Sequence, residues 1–299
     1  MRRMAWAEDM QERRFEERVG PLTVSGRRVA GSPGNTRPLI VALHGGTYTS
    51  GYFDVPGYSL LNLAAAVGAP VIALDRPGYE GTTAFAPADA TIANNAERLE
   101  HLIGELWRRD GADCPGIVLI GHSIGGAIAT TIAAAGPSWP MLGLAISGVG
   151  LETARESGPA WAALPALPTI QLPGPVKDML MFGPEWTFAA DMPELGHTAD
   201  APVPRAELID IVTTWPTNAR QIIAKVKVPV HSRQGEFDRL WIVDDRQVAD
   251  FGAGFVASSD VDAAIFANAG HCIDFHKLGP AFQLEQLGFA LRCCVRRPQ

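Results

Sequence analysis

Short apolar runs, each followed by glycine or polar residues, restrict the fold of this chain more than any other sequence feature. A run of this length is typical of a strand buried on both faces of a sheet. Runs of this kind occupy residues 38–43, 71–74, 117–120, 142–146, 226–230 and 263–267. Helical patterns lie between them, as at residues 91–109 and 124–135. This alternation predicts an α/β fold, with a mostly parallel central sheet flanked by helices.

The segments before the first apolar run are more ambiguous. Residues 21–30 predict a strand or a hairpin with a turn near Gly26. Arginine and acidic residues are interleaved among residues 2–18, and we interpret that stretch as a solvated helix of mixed charge.

Charge and cysteine content narrow the class of partner. The 25 basic and 32 acidic side chains give a net charge of −7, which argues against nucleic acid. No apolar run approaches the ~20 residues of a membrane span, and no signal-peptide core is present, so we expect a cytoplasmic protein without membrane contact. The 4 cysteines lack C-x-x-C spacing, and no P-loop or dinucleotide motif occurs, so we expect no metal and no cofactor. The sequence is compatible with both a monomer and a homodimer.

Residues 151–215 interrupt the alternation of strands and helices. They are rich in proline, which excludes long regular helices, and also in large apolar side chains, which excludes a disordered linker. We therefore predict an inserted lid of short helices over the strand ends. The predicted organisation is a core at residues 1–150, a lid at 151–215 and the rest of the core at 216–299.

A glycine-rich turn supplies the strongest chemical motif. The sequence G-H-S-I-G spans residues 121–125, between a buried strand and a helix of small residues. A turn this sharp strains the backbone of the central residue and requires small neighbours. It would expose the hydroxyl of Ser123 and aim the Ile124 amide at the site where an oxyanion forms. The pattern thus predicts Ser123 as a nucleophile and Ile124 as an oxyanion donor.

With this turn in place, the chain resembles the α/β-hydrolase superfamily from about residue 21 to the C-terminal helix. His44, Gly45 and Gly46 resemble the family's oxyanion loop. Residues 75–82 resemble its D-x-P-G-x-G-x-S stretch, with one extra residue and threonine for serine. The resemblance implies a nucleophile, an acid and a histidine in that chain order. Within this fold, the lid predicted from composition is a helical cap inserted after the sixth strand.

The resemblance also selects the other catalytic candidates. His271 follows the last predicted strand, where the family carries its catalytic histidine, and His276 is the rival. Asp238 follows a strand-then-G-x-x-D segment and fills the acid position. Glu236 is the near rival of Asp238. Glu152 is the distant one, because some members carry the acid after the sixth strand.

The remaining site predictions concern the oxyanion loop and the pocket. The family places the second oxyanion donor at Gly46, with Thr47 as the alternative. Large apolar side chains near a polar triad suggest an apolar acyl, aryl or lactone substrate. The predicted pocket residues are Trp161, Met181, Phe182, Trp186 and Tyr48.

Four functions stay open on this sequence. The leading one is a serine hydrolase of a carboxylic ester or lactone, acting through an acyl-enzyme on Ser123. The same triad would serve C–C bond hydrolysis of a diketone. A small-molecule receptor with a hydrolase fold is a third, although an intact triad argues against it. A lyase or acyltransferase is the fourth, since a fold does not fix the chemistry.

Overall fold

The computed structural model describes residues 13–32, 36–111 and 113–295. Its main sheet contains β1 (Arg14–Val19), β2 (Leu22–Val29), β3 (Leu39–Leu43), β4 (Val71–Leu74), β5 (Ile117–His122), β6 (Met141–Ser147), β7 (Val230–Gly235) and β8 (Val261–Phe266). The α-helices are α1 (Leu60–Ala66), α2 (Ile92–Asp110), α3 (Ile124–Ala135), α4 (Ser157–Ala162), α5 (Gly174–Met181), α6 (Met192–His197), α7 (Arg205–Ile223), α8 (Asp245–Ala253) and α9 (Gly279–Cys293). Two-residue strands pair Asp54–Val55 with Tyr58–Ser59, and Thr169–Ile170 with Val203–Pro204.

The strand order confirms the predicted fold class. The order is β1-β2-β4-β3-β5-β6-β7-β8. The pairs β1–β2 and β2–β4 are antiparallel, and every later pair in this order is parallel. In the parallel part, Leu43 at the end of β3 pairs with Gly121 of β5. Since the carboxyl ends of parallel strands meet at one edge, the loop after Leu43 lies beside Ser123.

The N-terminal expectations need correction. Residues 14–19 form a strand, not a helix, and their side chains alternate between exposed and more buried positions as in a half-buried strand. Residues 2–12 of the predicted helix lie outside the described residues. Of the two alternatives for residues 21–30, the strand is confirmed as β2, and the hairpin turn lies before it, at Gly20 (φ 59°), not at Gly26. Gly26 lies inside β2, where a Cβ would come 3.0 Å from the ring of Phe15.

The predicted strand at residues 226–230 is also misplaced. The observed strand β7 begins at Val230, where the prediction ended. Polar residues follow Val230, and an apolar run therefore cannot reveal this strand. Three of these polar residues are nevertheless buried: His231, Ser232 and Gln234.

The segment between β6 and α7 contains short helices, and we call residues 151–204 the inserted segment. It includes α4, α5 and α6, and none of these three exceeds 8 residues. The predicted lid boundary at residue 215 lies inside α7, which packs along α3 of the core. No helix among the described ranges is long and apolar enough to cross a bilayer.

The buried ring of His231 predicts a pH-dependent free energy of unfolding. Both ring nitrogens lack a hydrogen-bond partner among the described residues, and the Glu285 carboxylate is 3.5 Å away. Burial lowers the pKa of His231 to about 4, from 6.5. Between these values the unfolded chain binds a proton that the folded chain does not. The stabilisation is therefore complete above about pH 6.5 and declines as the pH falls toward 4, by at most ~1.4 kcal/mol per pH unit.

Urea unfolding at about pH 5 and about pH 7 checks this expectation. His231→Gln should reduce the pH dependence of the unfolding free energy by one proton. His101→Gln, at an exposed position on α2, is the matched control and should keep the parent's dependence. Identical slopes in the parent and His231→Gln would refute the assignment.

Candidate active site

The turn between β5 and α3 holds Ser123 in a strained conformation. Ser123 has φ 54° and ψ −124°, a region that non-glycine residues rarely adopt. The turn requires small neighbours, because a Cβ on Gly121 would lie 2.7 Å from the carbonyl oxygen of Gly125. The Ser123 amide donates to the carbonyl of Ser147 at 2.8 Å, which ties the turn to β6. The Ser123 residue stays 8% exposed at the floor of a cavity.

His271 and Asp238 lie together in the loops after β8 and β7. His271 Nδ1 is 2.7 Å from Asp238 Oδ2, and both side chains are buried. Asp238 Oδ1 also accepts the Leu240 amide at 2.8 Å, so both carboxylate oxygens have a partner. This arrangement fixes the imidazole so that Nε2 is the nitrogen left for another group.

Ser123 and His271 converge beside Gly148. The carbonyl of Ser147, the residue before Gly148, accepts the Ser123 amide. A Cβ on Gly148 would lie 2.9 Å from His271 Cε1. The ring of His122, next in sequence to Ser123, is 4.9 Å from the ring of His271. Across the described residues, no hydrogen bond joins Ser123 Oγ to His271. Such contacts often tighten only when substrate binds.

The rival residues have other partners or positions. Glu236 accepts the Asn268 amide at 2.8 Å, and Glu152 is exposed. The Nε2 of His276 accepts the amides of Gly270 and Gly183 at 2.9 and 3.1 Å. Burial lowers the pKa of His276 to about 4, so its ring is neutral at pH 7.

The loop after β3 faces the Ser123 turn. A Cβ on Gly45 would come 3.0 Å from Ser123 Cβ, and one on Gly46 would come 3.0 Å from Ile124 Cδ1. In the described part of the chain, the amides of Gly46 and Ile124 donate to no protein group. Free amides beside a nucleophile can receive an oxyanion.

Arg76 holds this loop in place through hydrogen bonds, a role that was not predicted from the sequence. Its guanidinium donates to the carbonyls of His44 and Gly45 at 2.9 and 3.1 Å, and to Glu207 of α7 at 2.8 Å. Arg76 and Glu207 are both completely buried. The Arg76 amide donates to Nε2 of His44, and burial lowers the pKa of that ring well below its usual value. His44 is therefore a neutral acceptor that shapes the loop.

Lys177, in the inserted segment, also holds this loop in place through a hydrogen bond. Its Nζ donates to the Thr47 carbonyl at 2.8 Å and also contacts the Asp200 carboxylate. It lies 3.4 Å from the centre of the Tyr48 ring. Burial lowers the pKa of Lys177, and Asp200 opposes that shift. A lysine in a short helix looks solvated in the sequence, so only the fold reveals this contact.

A narrow cavity of about 40 Å³ lies over Ser123. The inserted segment contributes Trp161, Leu172 and Met181 to its wall, and α7 contributes Leu208, Ile211 and Val212. None of the described residues in the wall is charged. The cavity therefore fits an uncharged, apolar group.

Three predicted pocket residues lie outside this cavity. Tyr48 is buried beneath Lys177 and packs edge-on against Phe275. Phe182 is buried against Phe188, Phe275 and His276. Trp186 is 59% exposed, with its ring 6.0 Å from Phe237. The sequence shows which side chains are large and apolar, but it could not predict the direction in which each one points.

The chain belongs to the Alpha/beta hydrolase family, which it matches over residues 40–277. A search of the curated proteins finds no match to the chain. Similar solved structures include a membrane phospholipase A (TM-score 0.66, 21% identity, 97% of this chain and 92% of that one). They also include the N-acyl homoserine lactonase AidH (TM-score 0.63, 18% identity, 96% and 98%) and an esterase from Thermogutta terrifontis (TM-score 0.64, 15% identity, 93% and 99%). At these identities the likeness establishes the fold alone.

Covalent labelling tests whether Ser123 is an activated nucleophile. A fluorophosphonate reacts with a serine whose proton a nearby base accepts. We expect one adduct per chain by intact mass, and peptide mapping should place it on Ser123. Ser258→Ala, at a half-buried serine in the loop before β8, should label like the parent. Labelling of Ser123→Ala at the parent's rate would contradict the assignment.

Proposed function

We propose that this protein is a serine hydrolase that cleaves a carboxylic ester or lactone with an apolar acyl or ring group. The observation that carries the proposal is an uncharged cavity over Ser123, beside the His271–Asp238 pair. The lactonase and esterase among the structural neighbours support the same chemistry.

In the proposed mechanism, Ser123 Oγ bonds to the carbonyl carbon while its proton passes to His271 Nε2. The C=O electron pair moves to the oxygen, which the Gly46 and Ile124 amides receive. The protonated His271 then gives its proton to the departing alkoxide. Water repeats these steps on the acyl-enzyme and releases the acid.

The size of the cavity favours a small acyl group. About 40 Å³ is room for roughly three waters, since each needs about 10–15 Å³ of this volume. An acetyl to butanoyl chain has a comparable extent. Longer chains would require α7 and the inserted segment to separate.

A panel of p-nitrophenyl esters, lactones and a diketone tests this function. Ser123→Ala should lower kcat on esters by roughly 10³-fold or more with an unchanged melting curve. Turnover of the diketone alone would favour the C–C hydrolase alternative. Tight binding without turnover of any compound would favour a receptor.

The acid assignment predicts a contrast between two carboxylate variants. Asp238→Asn should lower kcat by about 10⁴-fold, because the amide cannot hold the imidazole in the productive tautomer. Glu152→Gln, at an exposed position after β6, should act like the parent. Initial rates on p-nitrophenyl butanoate decide between them, and the reverse pattern would move the acid to Glu152.

The cavity predicts a second contrast, between two tryptophans. Trp161→Ala enlarges the pocket and should shift the preference toward longer acyl chains by about 1–3 kcal/mol in kcat/KM. Trp186→Ala is the matched control outside the cavity and should keep the parent's ranking. Comparing acetyl, butanoyl and octanoyl esters measures both. An unchanged ranking in Trp161→Ala would remove that residue from the pocket.

A further inference from the structure

Thr47 has a backbone conformation that its side chain disfavours. Its φ is 67°, in the left-handed region, and a β-branched residue there is strained. Strain of this kind costs on the order of 1–3 kcal/mol and persists only where the surroundings enforce it. The position of Thr47 in the oxyanion loop therefore calls for a physical reason.

The inserted segment enforces this conformation. The Thr47 carbonyl accepts two hydrogen bonds, from Lys177 Nζ at 2.8 Å and from the Ala201 amide at 3.0 Å. Lys177 is only 1% exposed and also contacts Asp200, so its ammonium is confined to this place. Two donors on one carbonyl fix the orientation of the peptide that follows Thr47.

The hydroxyl of Thr47 has no partner. Thr47 is 3% exposed, and within the described residues its Oγ1 makes no hydrogen bond. An unpaired buried hydroxyl costs about 1–3 kcal/mol, and each such group in a native protein calls for an explanation. Thr47 belongs to the cavity wall together with Gly46, Ser123 and Ile124. An unpartnered donor thus belongs to a residue in the wall of the cavity over Ser123.

We propose that the Thr47 hydroxyl donates a third hydrogen bond to the oxyanion, beside the amides of Gly46 and Ile124, and that Lys177 is the positioning residue that holds it there. This inference rests on the proposed ester hydrolysis. As Ser123 bonds to the carbonyl carbon, the C=O electron pair moves to the oxygen, and the hydroxyl hydrogen of Thr47 points at that charge without leaving its own oxygen. The contact is strongest in the transition state, so it accelerates the reaction more than it tightens substrate binding.

Thr47→Val tests the proposal, because valine keeps the shape and the β-branch but lacks the hydroxyl. We expect kcat on p-nitrophenyl butanoate to fall about 10²-fold, with KM within about threefold. The melting temperature should stay the same or rise, since the variant removes an unpaired buried hydroxyl. If the hydroxyl had a merely structural role, Thr47→Val would instead lower the melting temperature.

Two further variants separate the hydroxyl from general damage. Thr47→Ser keeps the hydroxyl and should recover most of the lost kcat. Thr213→Val, at an exposed position on α7, should act like the parent. Parent-like kcat in Thr47→Val, or an equal loss in Thr47→Ser, would overturn the proposal. If Ser123→Ala also keeps full activity, the proposed function itself fails; if Ser123→Ala is inactive, only the inference about Thr47 fails.

A double-mutant cycle tests the role of Lys177. Lys177→Met should lower kcat more than it raises KM, because the misplaced hydroxyl no longer reaches the oxyanion. In the Thr47→Val background the same change should cost much less in kcat, since the donor that Lys177 positions is already gone. Equal losses in the two backgrounds would show that Lys177 acts on something other than Thr47.

Discussion

Backbone strain concentrated at the carboxyl edge of the sheet is the constraint on which this site depends. The non-glycine residues with positive φ in the described chain are Thr47, Glu80, Ser123 and Asn268. They follow β3, β4, β5 and β8, so all four lie at the edge where the candidate site is built. Strained residues persist only where their surroundings fix them, and they often mark functional positions.

Each strained position next to the site has an identifiable restraint. The Ser123 amide is bonded to Ser147, and its carbonyl accepts the Ala127 amide as α3 begins. Asn268 lies in the loop that leads to His271, and its amide donates to the Glu236 carboxylate. One of these partners, Ser147, ends β6, and another, Glu236, directly follows β7. Strands that are adjacent in the sheet thus hold the Ser123 turn and the loop before His271 in a fixed arrangement.

The sequence was sufficient for those elements and residues that carry a local signature. Unbroken apolar runs gave β3 to β6 because those strands are buried on both faces. The Ser123 turn was recognisable because its glycines are required sterically. The strand β7 was misplaced, since His231, Ser232 and Gln234 are polar residues that the fold buries without any local sign.

The supports of the site could not be read from the sequence for a different physical reason. Arg76 and Glu207 are 131 residues apart, and Lys177 and Thr47 are 130 apart. No periodicity reports a pairing over that distance, and an isolated lysine is normally a solvated residue. The same limit applies to Tyr48 and Phe182, whose burial was predictable but whose direction depends on their neighbours in space.

The contact between Lys177 and Thr47 changes how the inserted segment is understood. From the sequence, four of the five predicted pocket residues belong to the predicted lid, at residues 151–215, and the catalytic candidates belong to the core. In the structure, α5 supplies both Met181 in the cavity wall and Lys177 on the loop after β3. A movement of α5 that widens the cavity would also remove the hydrogen bond from Lys177 to the Thr47 carbonyl. In the proposed mechanism, selection of the acyl group and assembly of the oxyanion site are therefore coupled through α5, and a substrate that keeps α5 displaced would bind without being turned over efficiently.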